Sequence, residues 1–324
     1  MTANQPREPL VSFILPYYNL PIQMLKECID SILALSLRPF EREIIVVDDG
    51  STNSPIDKLK DYEADIYYIR QCNGGLSTAR NMGLRIASGT FIQFVDTDDM
   101  LVRTPYEHCV DMIRYGGADV VLFDFTETAD VPTVFEDHTF TSGSEYMRQK
   151  NLCGTACGYI FKKSILGGLR FSPGIYHEDE EFTPQLLLRT ERLCVTTAKA
   201  YMYRKRPGSI ITSLNVRHKL KRINDLKGVI LKLNRLADTL PADDRLALQR
   251  RVAQLTMDYI YKIIIETQNR HYLDRKLEEL KHQGLFPLPD KHYTAKYTWF
   301  RRLTNSNAGL SLLMKTLPFM THER

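Results

Sequence analysis

Phe91-Ile92-Gln93-Phe94-Val95-Asp96-Thr97-Asp98-Asp99 is the stretch on which the reading of this chain turns. Its first five residues are mostly apolar and read as a buried strand. The carboxylates Asp96, Asp98 and Asp99 then crowd into the four positions that follow. Like charges this close repel unless a cation shares them. The segment is therefore either a solvated turn or a divalent-metal site that holds a diphosphate at a strand's carboxyl end. Hard oxygen ligands suit Mg²⁺ or Mn²⁺, which commonly bridge to substrate phosphates.

The same pattern repeats outward. Leu10 to Leu15 is a buried strand that stops at Pro16, which cannot donate to a ladder, and Tyr17, Tyr18 and Asn19 follow. Leu25, Ile29, Ile32 and Leu33 then recur at helical spacing. Glu43 to Val47 is nearly continuous in Ile and Val, as in a strand covered on both faces, and it runs directly into Asp48-Asp49-Gly50-Ser51. Ile66 to Ile69 reads as a third strand. Asn73-Gly74-Gly75 makes a turn, and Leu76 to Ala87 is a helix stopped by Ser88-Gly89. Beyond the acidic stretch, Pro105 marks a helix closed by Gly116-Gly117, and Val120 to Phe125 is a fifth strand. Strands alternating with helices predict an α/β fold with an open, mostly parallel sheet flanked by helices. In such sheets ligands bind beyond the carboxyl ends of the strands, so Asp48-Asp49 and Asp96 to Asp99 are expected on one rim.

The second half is less regular. Thr126 to Phe140 reads as loop with a weak hairpin pattern, and Gly158 to Phe161 and Arg192 to Thr196 read as short strands. His177-Glu178-Asp179-Glu180-Glu181 suits a helix's first turn, where the dipole favours acids. The functional alternative makes one of these carboxylates a general base with His177 beside it. Arg204, Lys205 and Arg206 are either solvated or a diphosphate clamp. After Asn215 apolar residues recur by threes and fours: Leu220, Ile223, Leu226, Ile230 and Leu233, then Leu248, Val252, Leu255, Tyr259 and Ile263, then Leu273, Leu277 and Leu280. The division expected is a catalytic domain over 1–213 and a helical C-terminal region over 214–324, used for packing, homodimerisation or membrane contact. Trp299, Phe300, Arg301 and Arg302 near the end fit either packing or an interfacial membrane contact.

Whole-chain properties exclude several classes. A net charge of +4 over 324 residues does not argue for nucleic acid. The 6 cysteines are scattered, and Cys153 and Cys157 have no second pair to complete a zinc set, so reduced thiols are expected. Met1 to Pro9 has no apolar signal region, and no apolar run approaches the roughly 20 residues of a membrane span. A cytoplasmic protein, at most at the inner face of the membrane, is the expectation. Dinucleotide, P-loop and nucleophile-elbow fingerprints are all missing.

Taken together the motifs resemble those of family 2 glycosyltransferases of the GT-A fold. The matching stretches, in the family's order, are Pro16-Tyr17-Tyr18-Asn19, Val47-Asp48-Asp49-Gly50-Ser51, Asn73 to Asn81, Asp96-Thr97-Asp98-Asp99 and His177-Glu178-Asp179. The resemblance implies a nucleotide-diphosphate sugar donor (a UDP-sugar favoured), Mn²⁺ or Mg²⁺, inversion at the anomeric carbon, and a glycan or lipid-linked acceptor in surface polysaccharide synthesis. It implies that Pro16, Tyr17 and Asn19 wall the nucleotide pocket. Asp48-Asp49 would take the uracil imide, with Asp49 the first choice. Asn73 and Arg80 would lie near base and diphosphate, Asp96 and Asp98 at the donor, and Asp98 and Asp99 at the metal. Asp179 would be the base with Glu178 as its partner, and Arg204, Arg206 and Ser209 would approach the diphosphate. The processive family signature QxxRW is missing, since the only tryptophan, Trp299, follows Lys296-Tyr297-Thr298; one sugar per encounter is expected. The alternative function is a non-catalytic GT-A-fold module that binds a nucleotide or glycan or serves as a scaffold.

Overall fold

In the computed structural model, residues 8–205 and 216–320 are described. β1 (Val11–Tyr17) lies between β2 (Arg42–Asp48) and β4 (Phe91–Phe94), with β3 (Ile66–Arg70) outside β2, and all these pairs are parallel. Every residue of β1 and β4 is buried, as continuous apolar runs covered on both faces must be. Helices α1 (Ile22–Leu33), α2 (Leu76–Ile86) and α3 (Arg103–Arg114) supply the cover. The chain winds from β1 out to β3 and returns to the other side of β1, so strand order reverses between β1 and β4. A crevice at such a reversal is where open α/β sheets take ligands.

The rest of the sheet is mixed. β5 (Met100–Leu101), β6 (Val120–Thr126), β7 (Asp137–Phe140), β8 (Tyr159–Lys162) and β9 (Leu193–Met202) extend it in the order β3-β2-β1-β4-β8-β6-β9-β5, with β7 also on β9. β8 runs antiparallel to both β4 and β6, whereas β6 and β9 are parallel. A short apolar run does not encode its direction, which is why the parallel half is the part that the alternation of strands and helices predicts. β9 also runs six residues past Thr196, the end expected from the sequence. Its second half alternates small buried residues, Ala198 and Ala200, with exposed Thr197 and Lys199, a period-two pattern. Helices α4 (Gly143–Gln149) and α5 (Glu178–Leu187) complete the elements before residue 205.

The chain divides into two units. The sheet unit comprises residues 1–143, 154–174 and 178–207; the helical unit comprises 144–153, 175–177 and 208–324. The described helices of the second are α6 (Val216–Asp238), α7 (Ala242–Thr267), α8 (Arg270–His282), α9 (Ala295–Thr304) and α10 (Asn307–Met320). Most of each stripe faces inward: Ile223, Leu226, Ile230 and Leu233 are buried, as are Leu248, Val252, Leu255, Tyr259 and Ile263, whereas Leu220 is exposed. Arg250 and Arg251 of α7 reach the backbone of Arg148 and Leu152, which ties residues 144–153 into this unit. Trp299 is 50% exposed while its neighbours Tyr297 and Phe300 are buried. No described helix is long and apolar enough to cross a membrane.

The close approach of α2 to β1 depends on Gly83, where an added Cβ would stand 2.2 Å from Ile14 Cγ2. Gly83→Ala gains about 1 kcal/mol of helix propensity but overpacks a buried β-branched side chain, at about 1–3 kcal/mol. A lowered urea midpoint is expected, and an unchanged or raised one would show that α2 can shift.

Candidate functional site

The loops that leave β1 and β2 are stapled together. The Asn19 amide N–H donates to Ser51 Oγ (3.0 Å), and its Oδ1 accepts the Thr52 N–H (2.8 Å). Asp48 is fully buried; Oδ1 accepts the Ser51 N–H (2.8 Å) and Oδ2 accepts the Tyr68 hydroxyl (2.7 Å). Asp49 holds the turn before α2. Its Oδ1 accepts Gln71 Nε2 (2.6 Å) and the Gly74 N–H (3.0 Å), and its Oδ2 accepts the Gly75 N–H (2.7 Å). Asn73 Nδ2 donates to the Asp49 carbonyl (2.9 Å). Each carboxylate oxygen offers two lone pairs, so Asp49 Oδ2 has room for one more donor. Gly50 sits at φ 73°, and a Cβ there would come within 2.7 Å of the Asn73 N, so only glycine fits between the two loops.

The tyrosine that ends β1 and the one that follows it differ in burial. Tyr17 is buried, and its hydroxyl donates to the Leu20 carbonyl (2.6 Å). Tyr18 is 50% exposed. The more exposed ring on this rim is therefore Tyr18, which the motif reading passes over in favour of Tyr17. Pro16, beside them, accepts the Thr97 hydroxyl at its carbonyl (3.0 Å), which joins the β1 end to the acidic turn.

Arg80, on the buried face of α2, connects the acidic turn to the start of α5. It is 3% exposed. Nη2 donates to Asp96 Oδ1 (3.0 Å) and Nη1 to Glu178 Oε1 (3.0 Å). Its guanidinium lies 5.4 Å from the Phe171 ring centre and 5.8 Å from that of Phe94, within cation–π range. Burial works against the charge, but Asp96 foremost and Glu178 after it outweigh that and hold the group protonated.

Asp99, expected at a metal, accepts one protein donor at each oxygen. Oδ2 accepts the Tyr201 hydroxyl (2.9 Å) and Oδ1 the Arg204 N–H (2.8 Å). The Tyr201 oxygen in turn accepts the Asp96 N–H (3.0 Å). Burial, reinforced by Asp96, pushes the Asp99 pKa up to about 7. Asp98 is half-buried on the same turn. Arg204, expected at the diphosphate, is turned inward: its guanidinium donates to the Asp98 carbonyl, to Glu27 and to the Met24 carbonyl (3.3 Å). Arg206 and Ser209 lie outside the described residues.

At the start of α5 the acids Glu178, Asp179, Glu180 and Glu181 fill the first turn. They do not share a role. Glu181 is buried and accepts the Ser172 hydroxyl (2.8 Å). Glu178 is held by Arg80. Asp179 Oδ1 accepts the Glu180 N–H (2.8 Å), and burial, with Glu178 and Glu180 close by, raises its pKa while Arg80 opposes the shift. His177 belongs to the helical unit, where its Nε2 lies 3.4 Å from Lys262 Nζ. Burial and that lysine depress its pKa to about 4. Sequence reasoning did not find Tyr201 as a partner of the acidic turn, or Glu27 as the partner of Arg204. Neither has a local signature, since each is far along the chain from the group it meets.

The family described as Glycosyl transferase family 2 matches residues 12–166. The chain is 30% identical over 219 residues to the uncharacterized glycosyltransferase EpsJ of Bacillus subtilis, covering 62% of this chain and 63% of that protein. It is 35% identical over 212 residues to the minor teichoic acid biosynthesis protein GgaB of Bacillus subtilis, covering 60% of this chain and 23% of that protein. The chain thus spans less than two thirds of either relative's length. Among solved structures it is similar to S. aureus TarS 1-349 in complex with UDP-GlcNAc, with a TM-score of 0.64, 19% identity, and coverage of 97% of this chain and 91% of that one. At that identity the likeness is one of fold.

Replacing Arg80 by methionine keeps its apolar bulk and leaves Glu178 and Asp96 without their shared cation. Breaking a buried ion pair from one side costs about 3–5 kcal/mol. Because Asp96 keeps a third of its side chain in solvent, the lower end, about 3 kcal/mol, is expected. Chemical denaturation checks this; a loss below about 1 kcal/mol, the range of exposed pairs, would show that the bridge is not needed.

Proposed function

We propose that this chain, which belongs to the family 2 glycosyltransferases, moves one sugar from a UDP-sugar to a hydroxyl of a glycan or lipid-linked acceptor, with inversion, in surface polysaccharide synthesis. The observation that carries the proposal is the Arg80 bridge, which sets the acidic turn and the Asp179 carboxylate on the same rim. One end of that arrangement suits a diphosphate and the other suits a proton acceptor. The teichoic acid relative supports a cell-surface glycan as product, and the UDP-GlcNAc bound by the neighbour in fold supports uridine in the donor.

The residues divide the work as follows. Tyr18 stacks on the base, and Asp49 takes the imide proton at its remaining lone pair. Asn73 and Asn19 hold the walls of that pocket. Asp96 and Asp98 would hold Mn²⁺ or Mg²⁺. The described residues contain no cluster of three or more side chains able to cage a metal alone, and these ions are commonly held by one or two carboxylates with the substrate phosphates supplying the rest. When bound, the ion neutralises charge that develops on the departing diphosphate. Asp99, through Tyr201 and the Arg204 N–H, keeps the turn in shape. Residues 1–213 would carry this chemistry and 214–324 would serve packing, with dimerisation or peripheral membrane contact as further uses.

An acceptor hydroxyl is a poor nucleophile until its proton is taken. Asp179 is suited to that because its carboxyl is raised above the ordinary carboxylate range, closer to working pH. Attack from the face opposite the diphosphate inverts the anomeric centre. Arg80 holds Glu178 beside it, and the nearby Glu178 charge helps to raise the Asp179 pKa. The base must be ionised, so its raised pKa moves the acid limb of kcat/KM upward: activity is lost, as pH falls, at a pH above the ordinary carboxylate range.

Asp179→Asn is expected to lower turnover about 10²–10⁴-fold while UDP binding stays, and to abolish that acid limb. Tyr18→Ala is expected to weaken UDP binding by about 1–3 kcal/mol, the range for a base on an aromatic ring. Normal turnover by Asp179→Asn would refute the base assignment, and unchanged UDP affinity in Tyr18→Ala the stacking one.

A further inference from the structure

β6 is irregular near its carboxyl end. Its register against β9 shifts on either side of Asp124. Bulges of this kind re-aim side chains and gather near active sites. Here the bulge delivers Phe125, 37% exposed, to the rim of the sheet. One edge of its surroundings is filled: its ring centre lies 5.3 Å from that of Tyr201 in a T-shaped contact. Gly158 presses against the same ring, since a Cβ there would sit 3.0 Å from Phe125 Cε2 and Cζ.

A second exposed ring, Tyr203, lies two residues past Tyr201. The Tyr203 N–H donates to the Thr126 carbonyl (2.8 Å), so the β6–β9 ladder continues one residue past β9. Residues two apart on a strand share a face, which places Tyr203 on the side of Tyr201, the partner of Phe125 in register. Tyr203 is 38% exposed. Next to these rings, Lys205 and Glu127 form an exposed ion pair at 2.8 Å. The patch is continuous with the chemistry, because the Tyr201 hydroxyl that ends it donates to Asp99 and accepts from the Asp96 N–H. It also lies on the β6–β9 side of the acidic turn, across the sheet from the β1–β2 loops that form the nucleotide pocket.

We infer that Phe125 and Tyr203 form a stacking platform for a pyranose ring of the acceptor glycan, with Glu127 and Lys205 bonding its hydroxyls. The inference rests on the glycosyltransferase reading above. Two exposed aromatic rings beside a donor-rich and an acceptor-rich side chain match a sugar, which presents an apolar C–H face ringed by hydroxyls. An ordinary apolar contact would not need the flanking charges.

The test uses the full chain with UDP and Mn²⁺, and methyl β-D-glucopyranoside and methyl N-acetyl-β-D-glucosaminide as probes, titrated by saturation-transfer NMR. Binding by the wild type that weakens at least tenfold in both Phe125→Ala and Tyr203→Ala is the expected result. Tyr203 is exposed, so its variant keeps the test decisive if loss of Phe125 disturbs β6. No glycoside binding by the wild type, or equal binding in a folded Tyr203→Ala, would overturn the platform. UDP affinity is read on the same samples: its absence in the wild type would refute the donor reading, whereas the platform stands or falls by the glycosides.

Discussion

A buried guanidinium with two carboxylates, Arg80 between Asp96 and Glu178, is the interaction on which the rest of this site depends. Removing a charge from water costs several kcal/mol, which only close partners offset. Arg80 has two such partners and two aromatic neighbours, although its Nε has no acceptor among the described residues. The bridge therefore contributes position more than stability. It joins an element before β4, the turn after β4, and a helix that begins some eighty residues further on. Each end of the bridge adjoins a group to which the proposal gives a role, Asp98 beyond Asp96 and Asp179 beyond Glu178.

A second set of contacts holds the acidic turn from the other side. Tyr201 and the Arg204 backbone each donate to one oxygen of Asp99, and the Arg204 side chain takes the Asp98 carbonyl and Glu27 of α1. A turn with three acids is thus fixed by one acid that faces inward. The other two keep partial exposure. Division of labour among adjacent like charges is how their repulsion is relieved before any ligand arrives. The same division appears on α5, where Glu181 braces Ser172, Glu178 holds Arg80 and Asp179 is left with a raised pKa.

Much of this was legible in the chain. The apolar runs at Leu10, Glu43 and Phe91 name the central strands, and the acids that follow them name the rim, because periodicity and strand ends are local properties. Strand direction was not legible: β8 looks like its neighbours but runs the other way. Nor was the split of roles within Asp96-Thr97-Asp98-Asp99, since that is decided by Tyr201, far off in sequence, whose strand continues past the point where its apolar run fades. Tyr17 and Tyr18 show the finer case. The motif contains both, and only their burial in the fold tells them apart.

The most direct test is a calorimetric titration of the whole protein with UDP, first with Mn²⁺ and then with EDTA. A nucleotide pocket on the β1–β2 loops joined to a metal-holding acidic turn predicts saturable binding with Mn²⁺ that is lost or much weakened when the metal is chelated. Binding of equal strength in EDTA would contradict the role given to Asp96 and Asp98. No binding under either condition would contradict the uridine donor itself.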